Sequence, residues 1–339
     1  MPYIRPMHEQ YLLISDYFKT QRRVLITTHF NPDGDAIGSS IGLACALRSL
    51  GHSVKIVLPN AVSSNLQYFL AEESWFIAEE NQEELYEELK DAEVLATLDF
   101  NHLSRSGEII QKALSSLEEM PFIWMIDHHM EPSNYAKWTL SDTKKSSTCE
   151  MVWDLLSALK WESHLSPLAA NALYAGIMTD TGSFRFPSTS AQTHRAVAGL
   201  IDCGAEPHTV HEGIFDQNRI ERLHLLSASL SHLTILNSGE TLAFYLTLEE
   251  QQRIGLAKGD TEGFVNYGLS VTGVQLSVFF IEAENFWKLS LRSKENLDVN
   301  LMARALFQGG GHKNAAGGRY EGDVLNAMAS IEKYIHENA

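Results

Sequence analysis

The chain has 339 residues, of which 44% are hydrophobic and 20% charged, a composition that is ordinary for a globular protein and excludes a largely disordered one. Its 43 acidic and 26 basic residues give a formal net charge of −17, which disfavours binding to long duplex nucleic acid. The cysteines Cys45, Cys149 and Cys203 are too widely spaced for a zinc site or a disulfide framework and favour a reducing cytoplasm. No apolar run approaches the ~18 residues of a membrane span, so no membrane partner is expected.

In the first half of the chain, short apolar runs alternate with helical patterns. Strands are predicted over 24–28, 54–58, 94–98 and 122–126, and helices over 36–50, around 85–89, and over 147–159 and 167–178. Gly51 follows the helix over 36–50, at the position where glycine commonly ends a helix. The alternation of strands and helices predicts an α/β fold built on a parallel sheet.

The second half of the chain follows a different pattern. A helical stretch over 190–232, interrupted at 203–207, leads to predicted strands over 242–248, 275–282 and 287–292. A helix over 299–307, a glycine-rich loop and a final helix over 324–335 complete a pattern that predicts a smaller α+β domain. We therefore expect an α/β domain over 1–189, a helical connector over 190–232 and an α+β domain over 233–339, in line with the two domains that the length suggests.

Acidic residues and histidines stand where the apolar elements of the first half end. They are His29, Asp33, Asp35, Asp99, Asp127, His128, His129 and Asp180. Because ligands of open α/β sheets bind outside the carboxyl ends of the strands, we expect several of these side chains to share one crevice. Taken singly, each aspartate is more simply a cap or turn residue, and Asp35 has the alternative interpretation of a helix N-cap.

Several carboxylates in one crevice repel one another unless cations neutralise them. The donor set combines aspartate oxygens with imidazole nitrogens and contains no thiolate, which suits Mn²⁺, with Mg²⁺, Co²⁺ or Zn²⁺ as substitutes. There are more candidate ligands than one ion needs, so we expect two divalent cations. A pair of ions about 3.5–4 Å apart activates water and clamps a phosphoryl group.

These residues resemble the motifs of a known family. His29-x-x-x-Asp33-x-Asp35, Asp99, Asp127-His128-His129 and Asp180 resemble the four motifs of the DHH phosphoesterases, and the segment 309–318 resembles the signature of the DHHA1 domain. Gln308 departs from that signature, because a fourth glycine is common there. The resemblance spans nearly the whole chain and is strongest to the two-domain nanoRNase and pAp-phosphatase branch. It implies a DHH catalytic domain over 1–189 and a DHHA1 substrate-binding domain over 233–339.

The resemblance also implies a role for each motif residue. The implied metal ligands are His29 and Asp33 for one ion, Asp35, His128 and Asp180 for the other, and Asp99 as the bridge between them. Asp127 would orient His128, and His129 would face the substrate phosphate and assist the leaving oxygen. The expected catalytic residues are thus Asp99, Asp127, His128 and His129.

Five further residues are expected to bind substrate. Arg105 matches an arginine that is common in the family and would contact a phosphate, although a surface arginine near a helix end is an equal alternative. Arg292 and His312 would bind the terminal phosphate or the base-bearing end of the substrate. The backbone N–H groups of Gly310 and Gly311 would cradle an anion, unless their loop is only a tight turn.

The resemblance implies hydrolysis of short oligonucleotides, of the linear product of a cyclic dinucleotide, or of 3′-phosphoadenosine 5′-phosphate, and it is compatible with a homodimer. Two alternatives stay open. An inorganic pyrophosphatase or exopolyphosphatase would share the motifs of the first domain, but its second domain carries a different signature from the glycine-rich DHHA1 segment. A catalytically silent nucleotide sensor is disfavoured by the complete ligand set.

Overall fold

The computed structural model of the protein describes residues 7–338, except for the side chains of Met7, His8, Ser64 and His312. Backbone contacts divide the chain between Gln217 and Asn218 into a first and a second unit. That division lies inside the expected connector, and the expected boundaries 1–189, 190–232 and 233–339 stay a prediction. No helix of the described residues is long and apolar enough to cross a membrane.

The first unit contains a sheet of six parallel strands. They are β1 (Arg23–Thr27), β2 (Ser53–Leu58), β3 (Trp75–Ile77), β4 (Val94–Leu98), β5 (Phe122–Asp127) and β6 (Trp138–Ser141), in the spatial order β3-β2-β1-β4-β5-β6. Its α-helices are α1 (Met7–Tyr17), α2 (Gly34–Ser49), α3 (Ser64–Gln67), α4 (Gln82–Asp91), α5 (Glu108–Ser115), α6 (Thr148–Leu159), α7 (Pro167–Asp180), α8 (Ala191–Asp202) and α9 (Pro207–Phe215). The predicted parallel α/β sheet is confirmed. The strand order reverses between β1 and β4, which is where doubly wound folds form their ligand crevice.

Apolar cores cover both faces of this sheet. Ile26, Ala96 and Trp124 contribute to one buried cluster, whereas Leu25 and Leu95 contribute to a second cluster. Successive residues of a strand point to opposite faces, so a strand buried on both faces is apolar along its whole length. This is the pattern by which β1 and β4 are recognised in the sequence.

Two glycines allow α2, α6 and α7 to approach closely beneath the carboxyl edge of the sheet. A Cβ atom at Gly38 would overlap the carbonyl oxygen of Ala172. A Cβ atom at Gly176 would overlap Sγ of Cys149 and would lie 3.0 Å from Cα of Asp35. Both positions therefore require glycine for packing, although neither has a left-handed backbone.

The predicted helical stretch over 190–232 forms three helices. The helices α8 and α9 lie on either side of the predicted interruption at 203–207, and α10 (Ile220–Ser231) begins the second unit. A second interruption at 216–219 separates α9 from α10 and is not predicted from the sequence. The helical character of this stretch is thus confirmed, with one more break than expected, and its role as a connector stays a prediction.

The second unit contains a mixed six-stranded sheet. Its strands are β7 (Thr234–Leu236), β8 (Thr241–Leu246), β9 (Leu276–Glu282), β10 (Trp287–Ser293), β11 (Gly310–His312) and β12 (Ala315–Tyr320), in the order β11-β12-β10-β9-β8-β7. The pair β8 and β9 is parallel and the other pairs are antiparallel. Its remaining helices are α11 (Leu248–Ile254), α12 (Phe264–Leu269), α13 (Val299–Leu306) and α14 (Val324–Asn338). The smaller α+β domain is therefore confirmed.

The glycine-rich segment differs from its expected form. Gly310 and Gly311 belong to β11 and pair with Gly317 and Ala316 of β12, so the prediction of a loop is wrong for these residues. Glycine and alanine are poor strand formers, and pairing with β12 overrides their local preference. Gln308, just before β11, has a φ of +42°, the left-handed region that favours glycine.

Candidate metal centre

The carboxyl ends of three neighbouring strands carry most of the expected ligands. His29 follows β1, Asp99 directly follows β4, and Asp127 ends β5 just before His128 and His129. Since β1, β4 and β5 are adjacent and parallel, their carboxyl ends share one edge of the sheet. The start of α2 supplies Asp33 and Asp35, and the last residue of α7 is Asp180.

The structure brings these residues together in three overlapping groups. Within each group the candidate ligand atoms lie within 4.8 Å of one another. The groups are His29, Asp33 and Asp99; Asp99, His128 and His129; and Asp35, His128 and Asp180. Asp99 and His128 each belong to two groups, so the three groups form one continuous cluster in the first unit.

Asp99 lies between two imidazoles and presents a different oxygen to each. Its Oδ2 lies 3.4 Å from Nε2 of His29, and its Oδ1 lies 3.6 Å from Nε2 of His128. The same His128 nitrogen lies 3.3 Å from Oδ2 of Asp180 and 3.9 Å from Oδ2 of Asp35. These distances exceed those of ordinary hydrogen bonds, and they suit donors that converge on a shared cation rather than on one another.

Burial and mutual repulsion shift the pKa values of the cluster. Burial and the nearby charge of Asp99 raise the pKa of the Asp35 carboxyl to about 8. Burial and the charge of Asp35 likewise raise the pKa of the Asp180 carboxyl well above its ordinary value. Burial alone would lower the pKa of His29, but contacts with Asp33 and Asp99 outweigh it and raise that pKa to about 10. Divalent cations would instead favour ionised carboxylates and neutral imidazoles, so the donor set fits metal ions.

Asp99 has an unusual backbone as well as a central position. Its φ is +66°, a left-handed conformation that strains most side chains and that Asn and Asp tolerate best. Its N–H donates to the carbonyl oxygen of Ile126, which joins the end of β4 to β5. Burial would raise the pKa of Asp99, but the neighbouring His29 and His128 outweigh burial and hold that pKa below its usual range.

The helix cap at the start of α2 is Asp33 and not Asp35. The Oδ1 atom of Asp33 accepts the N–H groups of Asp35 at 3.0 Å and Ala36 at 3.1 Å. The interpretation of Asp35 as the N-cap is therefore wrong, because Asp35 lies inside the first turn of the helix. The side chain of Asp33 caps the helix and is 59% exposed, whereas the side chain of Asp35 is fully buried.

The start of α6 contacts the cluster, and sequence reasoning missed this contact. The N–H groups of Thr148 and Cys149 donate to the two carboxylate oxygens of Asp35 at 2.7 and 2.8 Å. The Thr148 hydroxyl donates to Oδ1 of Asp99 at 3.0 Å. The spacing of Ser147 and Glu150 marks a helix start, but no local signal reveals that this helix meets Asp35, more than 100 residues earlier.

Asp127 contacts His129 rather than His128, which corrects the expected pairing. Its Oδ1 lies 2.7 Å from Nδ1 of His129, and its Oδ2 accepts the His129 N–H at 3.1 Å. The bond from the His129 N–H to the Asp127 carboxylate spans two residues and forms an Asx-turn, which brings these two side chains together, while Nε2 of His128 lies 3.6 Å from Oδ1 of Asp99. Nδ1 of His128 instead lies 3.4 Å from the carbonyl oxygen of Lys145.

Comparisons with known proteins identify the family of this chain. The model of the DHH family, N-terminal domain, matches residues 23–177, and that of the DHHA1 domain matches residues 242–337. The crystal structure of an exopolyphosphatase-related protein from Bacteroides fragilis matches at a TM-score of 0.92 with 31% identity, over 98% of both chains. The chain belongs to the DHH family. The resemblance to DHH and DHHA1 proteins that the sequence motifs indicate is thus confirmed.

Curated relatives extend the similarity over both DHH and DHHA1 domains. The bifunctional oligoribonuclease and PAP phosphatase NrnA of Thermus thermophilus is 29% identical over 97% of this chain and 94% of its own length. The protein of the same name from Bacillus subtilis is 26% identical over 93% of this chain and 95% of its own length. The similarity therefore concerns the whole chain rather than one of its domains.

Arg105 lies in the DHH domain, in a 3-10 helix over Leu103–Ser106. Its carbonyl oxygen accepts the N–H of Phe30 at 2.6 Å, so this helix lies against the loop that carries His29. Its guanidinium makes no hydrogen bond or ion pair among the described residues. The position is compatible with a phosphate contact, and the expected role stays a prediction.

The other expected substrate residues lie in the DHHA1 domain. Arg292 of β10 pairs with Ala315 of β12, which pairs with His312 of β11, so the backbones of the three are in register. The side chain of His312 lies outside the described residues. The Arg292 guanidinium is half-buried, and it donates to the carbonyl oxygen of Leu291 at 3.0 Å without an ion pair to any described carboxylate. Burial lowers the pKa of Arg292.

The N–H groups of the glycine segment are partly engaged inside the domain. The N–H of Gly309 donates to the carbonyl oxygen of Ala303, and the N–H of Gly311 donates to Oδ1 of Asn300 at 3.0 Å. These two groups are therefore occupied, in contrast to the expected anion cradle. A substrate role of Gly310 and Gly311 stays a prediction.

Proposed function

We propose that this DHH protein is a metal-dependent phosphoesterase that hydrolyses short oligonucleotides and 3′-phosphoadenosine 5′-phosphate. The observation that carries the proposal is the continuous cluster of aspartates and histidines at the carboxyl edge of the first sheet. The names of the two curated relatives, which match nearly the whole chain, support the choice of substrates.

The proposed cofactors are two divalent cations, with Mn²⁺ preferred because the donors mix carboxylate oxygens and imidazole nitrogens. His29 and Asp33 would hold one ion, and Asp35, His128 and Asp180 the other. The two oxygens of Asp99 face different imidazoles, which supports a bridging role for this residue. When bound, such ions supply Lewis-acid activation of water and neutralise charge on the phosphoryl group.

The proposed contribution of His129 is to donate a proton to the leaving oxygen. Its Nδ1 bonds to Oδ1 of Asp127 at 2.7 Å, which fixes the ring orientation. Nε2 is then the ring atom from which the proton would pass to the leaving group. Asp127 would therefore act by orienting His129.

We propose small substrates for two reasons. Only five residues are proposed to bind the substrate, and the chain carries a net negative charge. Arg105, Arg292, Gly310, Gly311 and His312 are proposed to bind the phosphates or the base of the substrate. A net charge of −17 disfavours longer nucleic acid beyond the site. Dimer formation and a cytoplasmic location stay predictions.

A substrate panel tests the proposal. The full-length protein is incubated with Mn²⁺ and a ribodinucleotide, 3′-phosphoadenosine 5′-phosphate, pyrophosphate or polyphosphate, with a chelator as control. We expect hydrolysis of the first two substrates and none with the chelator. Hydrolysis of pyrophosphate or polyphosphate alone would support the inorganic alternative, whereas nucleotide binding without turnover would support the sensor.

A further inference from the structure

Thr148, at the start of α6, contacts two of the proposed metal ligands at once. Its N–H donates to Oδ2 of Asp35 at 2.7 Å, and its hydroxyl donates to Oδ1 of Asp99 at 3.0 Å. All three residues are buried, with Asp99 2% exposed and the other two fully buried. No other described residue donates a side-chain hydroxyl to Asp99.

The segment that carries Thr148 is itself held by a buried network. Glu150 accepts the N–H of Ser146 at 3.1 Å, the hydroxyl of Ser146 at 2.5 Å and the hydroxyl of Thr193 at 3.0 Å. Nζ of Lys145 lies 3.1 Å from Oε1 of the same carboxylate. This network fixes the start of α6, so that the Thr148 hydroxyl is a stationary donor.

The side chain of Asp99 needs such a donor. The terminal torsion of an aspartate joins an sp³ to an sp² carbon and has only broad preferences, so contacts decide where the two oxygens point. The hydrogen bond from Thr148 engages Oδ1, the oxygen near His128, while Oδ2 faces His29. A carboxylate that bridges two ions with one oxygen on each ion requires this division of its oxygens.

We propose that Thr148 is a positioning residue whose hydroxyl orients the Asp99 carboxylate for metal binding. The inference rests on the proposed function, because it concerns the ligands of the proposed ions. Partners that orient metal ligands typically contribute about 10-fold to 100-fold to metal affinity. Thr148 would do so without contacting metal or substrate.

The test compares Thr148→Val with Thr148→Ser. Valine keeps the branched shape and the N–H bond to Asp35 but removes the hydroxyl, whereas serine keeps the hydroxyl. The Kd for Mn²⁺ is measured by electron paramagnetic resonance without substrate. We expect the valine variant to bind Mn²⁺ about 10-fold to 100-fold more weakly than the wild type, and the serine variant to bind nearly as the wild type does.

Thr247→Val is the matched control. Thr247 also lies at the start of a helix, and its hydroxyl donates to a carboxylate oxygen of Glu250 at 2.9 Å, but both residues belong to the second unit and Glu250 is not a proposed ligand. This variant should lose thermal stability as Thr148→Val does and should keep its Mn²⁺ affinity. If Thr148→Val does not fold, Thr148→Ala and Thr148→Ser, which differ only in the hydroxyl, should show the same ratio of Kd values.

The outcomes separate this inference from the proposed function. If the wild type binds no Mn²⁺, the proposed metal centre itself is wrong. If the wild type binds Mn²⁺ and Thr148→Val binds it equally well, or if the serine variant is as weak as the valine variant, the positioning role is refuted.

Discussion

The sheet of the first unit has buried carboxylates at one edge, whereas the sheet of the second unit carries a half-buried guanidinium. The parallel sheet of the first unit gathers Asp35, Asp99 and Asp127, each at most 2% exposed, at one edge. The mixed sheet of the second unit instead holds the half-buried guanidinium of Arg292, which pairs with no described carboxylate. A buried charge without a partner costs free energy. From this difference we predict that each unit binds a ligand of the opposite charge, cations in the first unit and anions in the second.

The largest expected effect comes from Asp99→Asn. The substitution removes the charge of the proposed bridging ligand, and hydrolysis of a dinucleotide with Mn²⁺ should fall by orders of magnitude. Asparagine tolerates the left-handed backbone at this position, so the fold should be preserved, as a circular dichroism melt would check. Turnover near the wild-type rate would refute the bridging role.

Metal binding should stabilise the protein through the first sheet. At a free Mn²⁺ concentration of 100 times Kd, binding to the folded state adds about 2.7 kcal/mol to the free energy of unfolding, which a thermal melt detects as a higher Tm. The increase should be smaller in Asp35→Asn, which loses a ligand of one of the two proposed ions, and should remain unchanged in Arg292→Ala. Loss of the increase in the arginine variant would contradict the division of charge between the sheets.

Arg292→Ala should weaken anion binding with a smaller effect. A hydrogen bond to a charged group contributes about 1.5–3 kcal/mol, so we expect KM for a dinucleotide to rise about 10-fold or more with little change in kcat. A simple phosphodiester, which lacks the second nucleoside, should show a smaller rise in KM. An equal rise for both substrates would show that Arg292 does not distinguish them, and Arg292→Lys should lie between wild type and alanine.

The smallest effect is expected for Gln308→Gly. Gln308, like Asp99, has a left-handed backbone, which costs a residue with a side chain about 1–2 kcal/mol. Glycine relieves that strain, which stabilises the folded state. The substitution also removes the hydrogen bond from Arg319 at 2.9 Å and increases the conformational entropy of the unfolded chain, and both effects destabilise the folded state. The free energy of unfolding in urea should therefore change by less than about 1 kcal/mol. A loss well beyond that value would mean that the glutamine supports the second sheet in another way.

The strands that position the candidate metal centre could be predicted because they are apolar along their length. The strands β1, β4 and β5 lie in the middle of the sheet and are buried on both faces, which leaves a continuous apolar run in the sequence. The acidic residues at their ends stand out against that run. Fold class and ligand candidates therefore follow from the same local signal.

The elements that could not be predicted depend on tertiary pairing. Strands β3 and β6 have three and four residues and lie at the edges of the sheet, so they are too short to show a period. Strands β11 and β12 are rich in glycine and form only because their neighbours provide hydrogen bonds. Thr148 was missed for a related reason, since its importance depends on long-range contacts with Asp35 and Asp99.

Gly176 has no reactive group, yet it determines whether Asp35 can occupy its place. One added methyl group there would collide with Cys149, whose N–H holds Asp35, and would press on the Asp35 backbone. A chain can therefore retain every acidic and imidazole side chain of its motifs and still lose the capacity to bind ions. An inventory of motif residues is consequently necessary but not sufficient to separate active enzymes from inactive relatives.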